Sequence, residues 1–79
     1  MDIDQEKVDE MVLALLYLTT FKEGPGLRAW KSRDWSALDG LHEKGYISDP
    51  VSKAKSVVLT ERGAKLSKEL FEKHFSVTT

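Results

Sequence analysis

The sequence predicts an α+β domain that is mainly helical. Apolar residues follow helical spacing near both ends of the chain, Glu-Gly-Pro-Gly at 23–26 interrupts any helix, and β-prone residues flank the polar segment 52–55. The 79 residues are 41% apolar and 32% charged, which is typical of a soluble folded chain. Because no segment is long enough to be a linker, we expect residues 1–79 to form one domain with a frayed tail at 76–79.

The first helix is predicted over about residues 4–20, with acidic residues in its first turns where the helix dipole favours them. Its apolar stripe follows i, i+3, i+4, i+7, i+8 spacing and consists of Val8, Met11, Val12, Leu15 and Leu16. Leu13, Tyr17 and Leu18 lie outside this stripe, so the second half of the helix is apolar nearly all round. Two interpretations are open: burial beneath the C-terminal helix, or a homodimer seam that includes Leu13 and Tyr17.

The middle of the chain is predicted to be a loop followed by helix. Pro25 and two glycines favour a loop at 23–26. Residues 27–31 are then predicted to form a short helical turn. A third helix, capped by Ser32 or Asp34, is predicted to end near Lys44.

The C-terminal part is predicted to contain a hairpin and a last helix. Gly45 stands where a left-handed helix stop is expected. Residues 46–47 are predicted to pair with 57–59 as a β-hairpin. Thr60 is predicted to cap a helix that ends near His74.

This order of elements is that of a winged helix, a helix-turn-helix variant with a β-hairpin wing. Leu41–Ile47 reads L-H-E-K-G-Y-I and resembles the L-x-x-K-G-[LY]-I motif of small bacterial regulators of the MarR and PadR kind. Leu59–Gly63 reads L-T-E-R-G and resembles their L-T-E-[KR]-G motif. The likeness covers about residues 33–72 and implies a third helix that enters the DNA major groove and a wing that contacts the backbone.

The chain also resembles a short uncharacterised bacterial family, a domain of unknown function of comparable length. That family carries A-W-K-x-x-D-W-x-A-L-x-x-L-H-E-K-G, followed by D-P-V and S-V-V-L-T. The matching segments here are 29–45, 49–51 and 56–60, so the resemblance covers nearly the whole chain. It implies a bacterial protein and no known activity.

The cations near the predicted third helix and wing are candidates for contact with DNA phosphates. They are Lys31, Arg33, Lys44, Lys53 and Lys55. Asp39 and Glu43 are predicted on the outward face of the third helix, where carboxylates repel phosphates. The wing lysines therefore have two interpretations, a weak salt-sensitive DNA contact or a solvated tip.

Trp30 and Trp35 are the largest candidate interface residues. Five positions apart, they do not share one helical stripe. Either both rings fill the core, or one stands exposed as an anchor for a protein partner.

The sequence predicts no enzyme, no metal site and no small-molecule cofactor. There is no cysteine, and the two histidines, His42 and His74, lack metal-ligand spacing. No strained nucleophile motif is present. The expected function is a regulator-like module that contacts DNA or, as the alternative, a protein-interaction or homodimerisation module that has lost DNA binding.

We expect a cytoplasmic protein that does not enter a membrane. Acidic residues follow Met1 where a signal peptide would be basic. The longest apolar run, 11–18, is far shorter than the roughly 20 residues that span a bilayer.

Overall fold

The computed structural model describes residues 1–31 and 35–77, and within them the chain is α+β, with three α-helices and one three-stranded antiparallel sheet. In chain order the elements are α1 (Gln5–Leu16), a 3-10 turn (Tyr17–Thr19), β1 (Thr20–Glu23), β2 (Gly26–Trp30), α2 (Trp35–Glu43), β3 (Ser56–Leu59) and α3 (Glu61–Phe75). The predicted caps Ser32 and Asp34 lie outside the described residues, as do the last two residues of the predicted tail.

Helix α1 begins where predicted and ends earlier. The Asp4 carboxylate accepts a hydrogen bond from the Lys7 amide at 3.1 Å, which caps the first turn. After Leu16 the backbone tightens into the 3-10 turn, and Thr20 is already extended. The predicted end at residue 20 is therefore wrong, since residue 20 begins β1.

Strands β1 and β2 form a hairpin that the sequence did not predict. They pair from Thr20 opposite Ala29 to Glu23 opposite Gly26. Gly24 has a φ of 60°, which a primed hairpin turn requires at its first central position. The loop expected at 23–26 is thus a tight turn between two strands. The predicted helical turn at 27–31 is wrong.

Strand β3 pairs with β2 along its whole length, from Leu59 opposite Leu27 to Ser56 opposite Trp30. The predicted hairpin partner of β3 makes one isolated bridge, Ile47 opposite Leu59, extended by a 2.8 Å bond from the Ser48 amide to the Val58 carbonyl. The ends of the 46–59 segment therefore meet as predicted. The main partner of β3, however, is β2, because the edge of β2 offers backbone groups for a full ladder of hydrogen bonds.

The core lies between α1, α2, α3 and the inner face of the sheet. Its buried apolar residues are Leu13, Ala14, Leu16, Ala29, Leu38, Leu41, Ile47, Val57, Leu59 and Leu70. Helix α3 begins at the predicted cap, where Thr60 Oγ1 accepts from the Gly63 amide at 3.0 Å. It packs closely on α1, and the buried Ser67 hydroxyl donates to the Leu13 carbonyl at 2.7 Å.

Gly45 ends α2 in the predicted left-handed conformation, with a φ of 81°. Its amide donates to the His42 carbonyl and the Tyr46 amide to the Leu41 carbonyl, both at 3.0 Å. We expect Gly45→Val to lower the free energy of unfolding by about 1 kcal/mol or more, because a β-branched residue is strained at this φ. Urea unfolding of Gly45→Val and of Gly45→Asn checks this, because asparagine tolerates the left-handed conformation. Equal urea midpoints for the two variants would contradict the left-handed conformation at position 45.

Candidate functional site

The outer face of α1 is apolar and exposed. Leu13 is 1% exposed and faces the core, whereas Leu15, two residues on, is 47% exposed and Leu18 is 65% exposed. Val8 and Met11, on the same side of the helix, are half-buried. We call Val8, Met11 and Leu15, together with Leu18 on the 3-10 turn that continues α1, the α1 stripe.

A small apolar cleft runs beside this stripe, between α1 and the end of β2. Its volume is about 160 Å³. Its lining comprises Val12, Leu15, Leu16, Thr19, Trp30 and Lys31. We call it the Trp30 cleft, since Trp30 is the largest of its lining residues and is 51% exposed.

The Trp30 side chain is held in position by a neighbouring strand. The Phe21 ring on β1 lies 5.2 Å from the indole, centroid to centroid, at a tilt of 34°. Such an aromatic contact restricts the ring before any partner arrives. A large, oriented and half-exposed tryptophan is typical of the residues that dominate protein interfaces.

Trp35 begins α2 and is 56% exposed. The Lys31 ammonium lies 5.9 Å from its ring centroid. The interpretation in which both tryptophans fill the core is therefore wrong. Trp30 follows the buried Ala29 on a strand, and alternation of side chains turns the indole outward.

The other two predicted interface residues face α3. Leu13 belongs to the core, so its assignment to an interface is wrong. Tyr17 is half-buried, with its ring 5.0 Å from that of Phe71. The buried side of α1 is thus covered by the C-terminal helix, and the exposed side is the α1 stripe.

The four predicted DNA-binding cations that the structure describes do not form one basic face. The Lys31 ammonium donates to the Ser52 carbonyl at 3.0 Å, and that of Lys44 lies 3.6 Å from the Asp9 carboxylate. Lys53 and Lys55 are exposed in the loop before β3. Arg33 lies outside the described residues.

Helix α2, the predicted reading helix, carries acid on its surface. Asp39 and Glu43 are exposed, together with His42. Carboxylates on this face repel a phosphate backbone. Its basic neighbour Lys44 is engaged by a carboxylate from α1, as described above.

The described residues hold no group of three or more His, Cys, Asp and Glu side chains placed to bind a metal ion. His42 lies on α2, whereas His74 lies on α3 with its Nε2 3.5 Å from Glu10. No helix among the described residues has the length and apolar character needed to cross a membrane.

A buried carboxylate escaped the sequence reasoning. Asp9 lies inside α1 and accepts from the Gln5 amide nitrogen at 2.8 Å. It borders a cavity of about 280 Å³ between the helices, beside Lys44. Gly40 on α2 approaches the same carboxylate so closely that a Cβ there would overlap Asp9 Oδ2. Paired in this way, the carboxylate ties α1 to α2, which keeps the outer face of α1 in place.

The exposure of the two indoles is open to a direct check. The variants Trp35→Phe and Trp30→Phe each leave one tryptophan, Trp30 or Trp35. At submicromolar protein concentration, we expect acrylamide to quench the fluorescence of that tryptophan in the folded variant with at least half the efficiency that it shows for the same variant unfolded in urea. Half-exposed rings collide readily with a small solute. Emission that resists quenching in either folded variant would contradict the assigned position of that ring.

The comparisons with known proteins give a family and no activity. Residues 4–77 match a family described as a domain of unknown function, DUF6429. The chain is 51% identical over 76 residues to the uncharacterized protein y4hR of Sinorhizobium fredii, an alignment that covers 96% of this chain and 99% of that protein. No solved structure matches.

Proposed function

Because the chain belongs to DUF6429, a family defined without an activity, we propose its function from its surface: it is a non-catalytic module that binds a protein through the α1 stripe and the Trp30 cleft. The observation that carries this proposal is the half-exposed Trp30, whose ring contacts that of Phe21 and which lines one cleft together with the exposed Leu15. Protein interfaces are enriched in such aromatic anchors at their centres.

The surrounding surface supports the same conclusion. The cleft is mainly apolar, and its lining includes one charged residue, Lys31. An apolar centre with a charged edge is the usual anatomy of a protein interface. Exposed apolar side chains near one another, such as Leu15 on α1 and Leu18 on the 3-10 turn that follows it, favour an interaction site over an ordinary surface.

A DNA-binding module of winged-helix type is the second candidate, and the exposed Lys53 and Lys55 favour it. It has less support. Residues 27–30, which would belong to the first helix of the helix-turn-helix, lie within β2, and α2 presents Asp39 and Glu43. Two lysines would neutralise about two phosphates, which gives only weak and salt-sensitive binding.

A site-specific photocrosslinker tests the proposal in the bacterial cell. With p-benzoylphenylalanine at position 30, we expect discrete protein adducts after irradiation, because the ring would sit within the interface. The same probe at the exposed Lys68 on α3 is the matched control and should give none of these adducts. Absence of adducts at position 30, or the same adducts at both positions, would overturn the proposal.

Anisotropy of a labelled random DNA duplex tests the second candidate. At about 50 mM salt we expect no binding at micromolar protein, since the described cations do not form one face. The double variant Lys53→Glu, Lys55→Glu is the control. Micromolar binding by the wild type that this variant abolishes would favour the DNA-binding module.

A further inference from the structure

We propose that the protein bound at this surface is a second copy of the same chain, with α1 packed antiparallel on α1 of its partner about a two-fold axis. This inference rests on the proposed function and names the occupant of its surface. It follows from the spacing of the α1 stripe and from the distribution of charge along it.

The spacing of the stripe is that of a helix pairing seam. Val8, Met11, Leu15 and Leu18 are separated by three, four and three positions, which is the a/d pattern of knobs-into-holes packing. Over ten residues the stripe is about 15 Å long. A two-fold axis near its middle sets Val8 opposite Leu18 of the second copy and Met11 opposite Leu15.

Charge selects the antiparallel direction. Residues 1–20 carry five carboxylates and one lysine, and Asp2, Asp4 and Glu6 are exposed at the start of α1. The segment 21–31, which follows the stripe, carries three cations, Lys22, Arg28 and Lys31, against one carboxylate, Glu23. Lys22 is exposed on β1, and Lys31 borders the cleft beside Leu15, with neutral oxygens of Ser52 as acceptors. Antiparallel pairing brings each acidic end to a basic end, whereas parallel pairing brings like charges together.

The helix dipoles favour the same direction. An antiparallel pair sets the positive N-terminal end of each α1 beside the negative C-terminal end of the other. The two-fold axis also makes the contact isologous, so both clefts are used and the assembly closes as a dimer.

A dimer contact of ordinary size would take a small share of the surface of this chain. A standard interface covers roughly 800 Å² on each partner, which is about a seventh of the 5716 Å² that this chain exposes. The α1 stripe, Trp30 and the cleft between them supply its apolar centre. Trp30 from each copy would lie against the flank of the other copy's α1.

Sedimentation velocity across a range of protein concentrations tests the partner. We expect the wild type to reach twice the mass of the 8.9 kDa chain in the micromolar range. Leu15→Glu should remain a monomer at concentrations at least tenfold higher, because each dimer would bury two new carboxylates. Phe75→Glu, which alters an apolar residue of similar exposure (45%) on α3, is the matched control and should still dimerise. Circular dichroism establishes that both variants are folded.

Disulfide trapping tests the direction without relying on a destabilising variant. The chain has no cysteine, so Val8→Cys and Leu18→Cys can each be made as a single thiol. In a mixture of the two variants, we expect the mixed disulfide to form at least tenfold faster than either homodisulfide, because equal positions lie about 15 Å apart along antiparallel helices. Homodisulfides that form as fast as the mixed species would overturn the antiparallel arrangement.

The two proposals fail in different ways. A wild type that stays monomeric to millimolar concentration, yet is crosslinked at position 30 to a different protein, overturns the second copy as partner and leaves the proposed function intact. A wild type that stays monomeric, together with an absence of crosslinked adducts at position 30, overturns both proposals. Adducts whose mass is twice that of the chain, together with the mixed disulfide, support both.

Discussion

Gly63→Ala is expected to lower the free energy of unfolding by about 3 kcal/mol or more, the upper range of overpacking effects. A Cβ at position 63 would overlap the carbonyl oxygen and carbon of Tyr46. That carbonyl is fixed, because its oxygen accepts from the Thr60 amide at 3.0 Å and the Thr60 hydroxyl at 3.2 Å. Relief would therefore require α3 to move away from the segment that follows α2.

Urea unfolding of the wild type and two glycine variants checks this. Gly26→Ala is the control, since a Cβ there would meet the Glu23 carbonyl at an ordinary 3.7 Å. Its effect should stay below about 1 kcal/mol, the cost typical of a surface substitution. A Gly63→Ala midpoint as close to wild type as that of Gly26→Ala would show that the start of α3 does not pack as described.

Leu13→Ala is expected to cost about 2–5 kcal/mol, the range for deletion of a buried leucine side chain. Leu13 is 1% exposed, and its backbone carbonyl accepts from the buried Ser67 hydroxyl. The matched variant is Leu15→Ala, two residues along the same helix. Because Leu15 is 47% exposed, we expect a loss of less than about 1 kcal/mol in the monomer.

Thermal or urea unfolding at submicromolar protein concentration measures both variants without a contribution from association. Leu13→Ala should unfold at distinctly lower urea than Leu15→Ala. If Leu15→Ala unfolded at lower urea than Leu13→Ala, α1 would be rotated so that Leu15 and the rest of the α1 stripe face the core. The surface on which the proposed function depends would then be buried.

Local signals made the end of α2 and the start of α3 predictable. Thr60 accepts a backbone amide in the first turn of α3, as the sequence indicated. Gly45 takes the left-handed conformation that a helix stop needs. Each of these features depends on neighbours within a few residues, so the sequence alone determines them.

The β1–β2 hairpin could not be predicted in this way. Gly24 and Pro25 indicated a loop, but not whether helix or strand lies on either side of it. Strand β2 is defined by pairing with residues 56–59, about thirty positions away. Sheet formation rests on such non-local contacts, which local spacing does not show.

The candidate surface was partly predictable for the same reason. The apolar character of α1 on nearly all sides indicated that it is covered on two sides, and in the structure α3 and α2 both pack on it. It did not indicate which side stays open: Leu13 is buried, whereas Leu15 is exposed. Trp30 lies on the open side only because it is the last residue of β2.

Proton NMR of the indole of Trp30 tests this account most directly. We predict nuclear Overhauser contacts from that ring to the Phe21 ring on β1 and to the methyl groups of Leu15 on α1, together with cross-strand contacts between Ala29 and Val57. Helical contacts from Leu27 to Trp30, with none from the indole to α1, would contradict it.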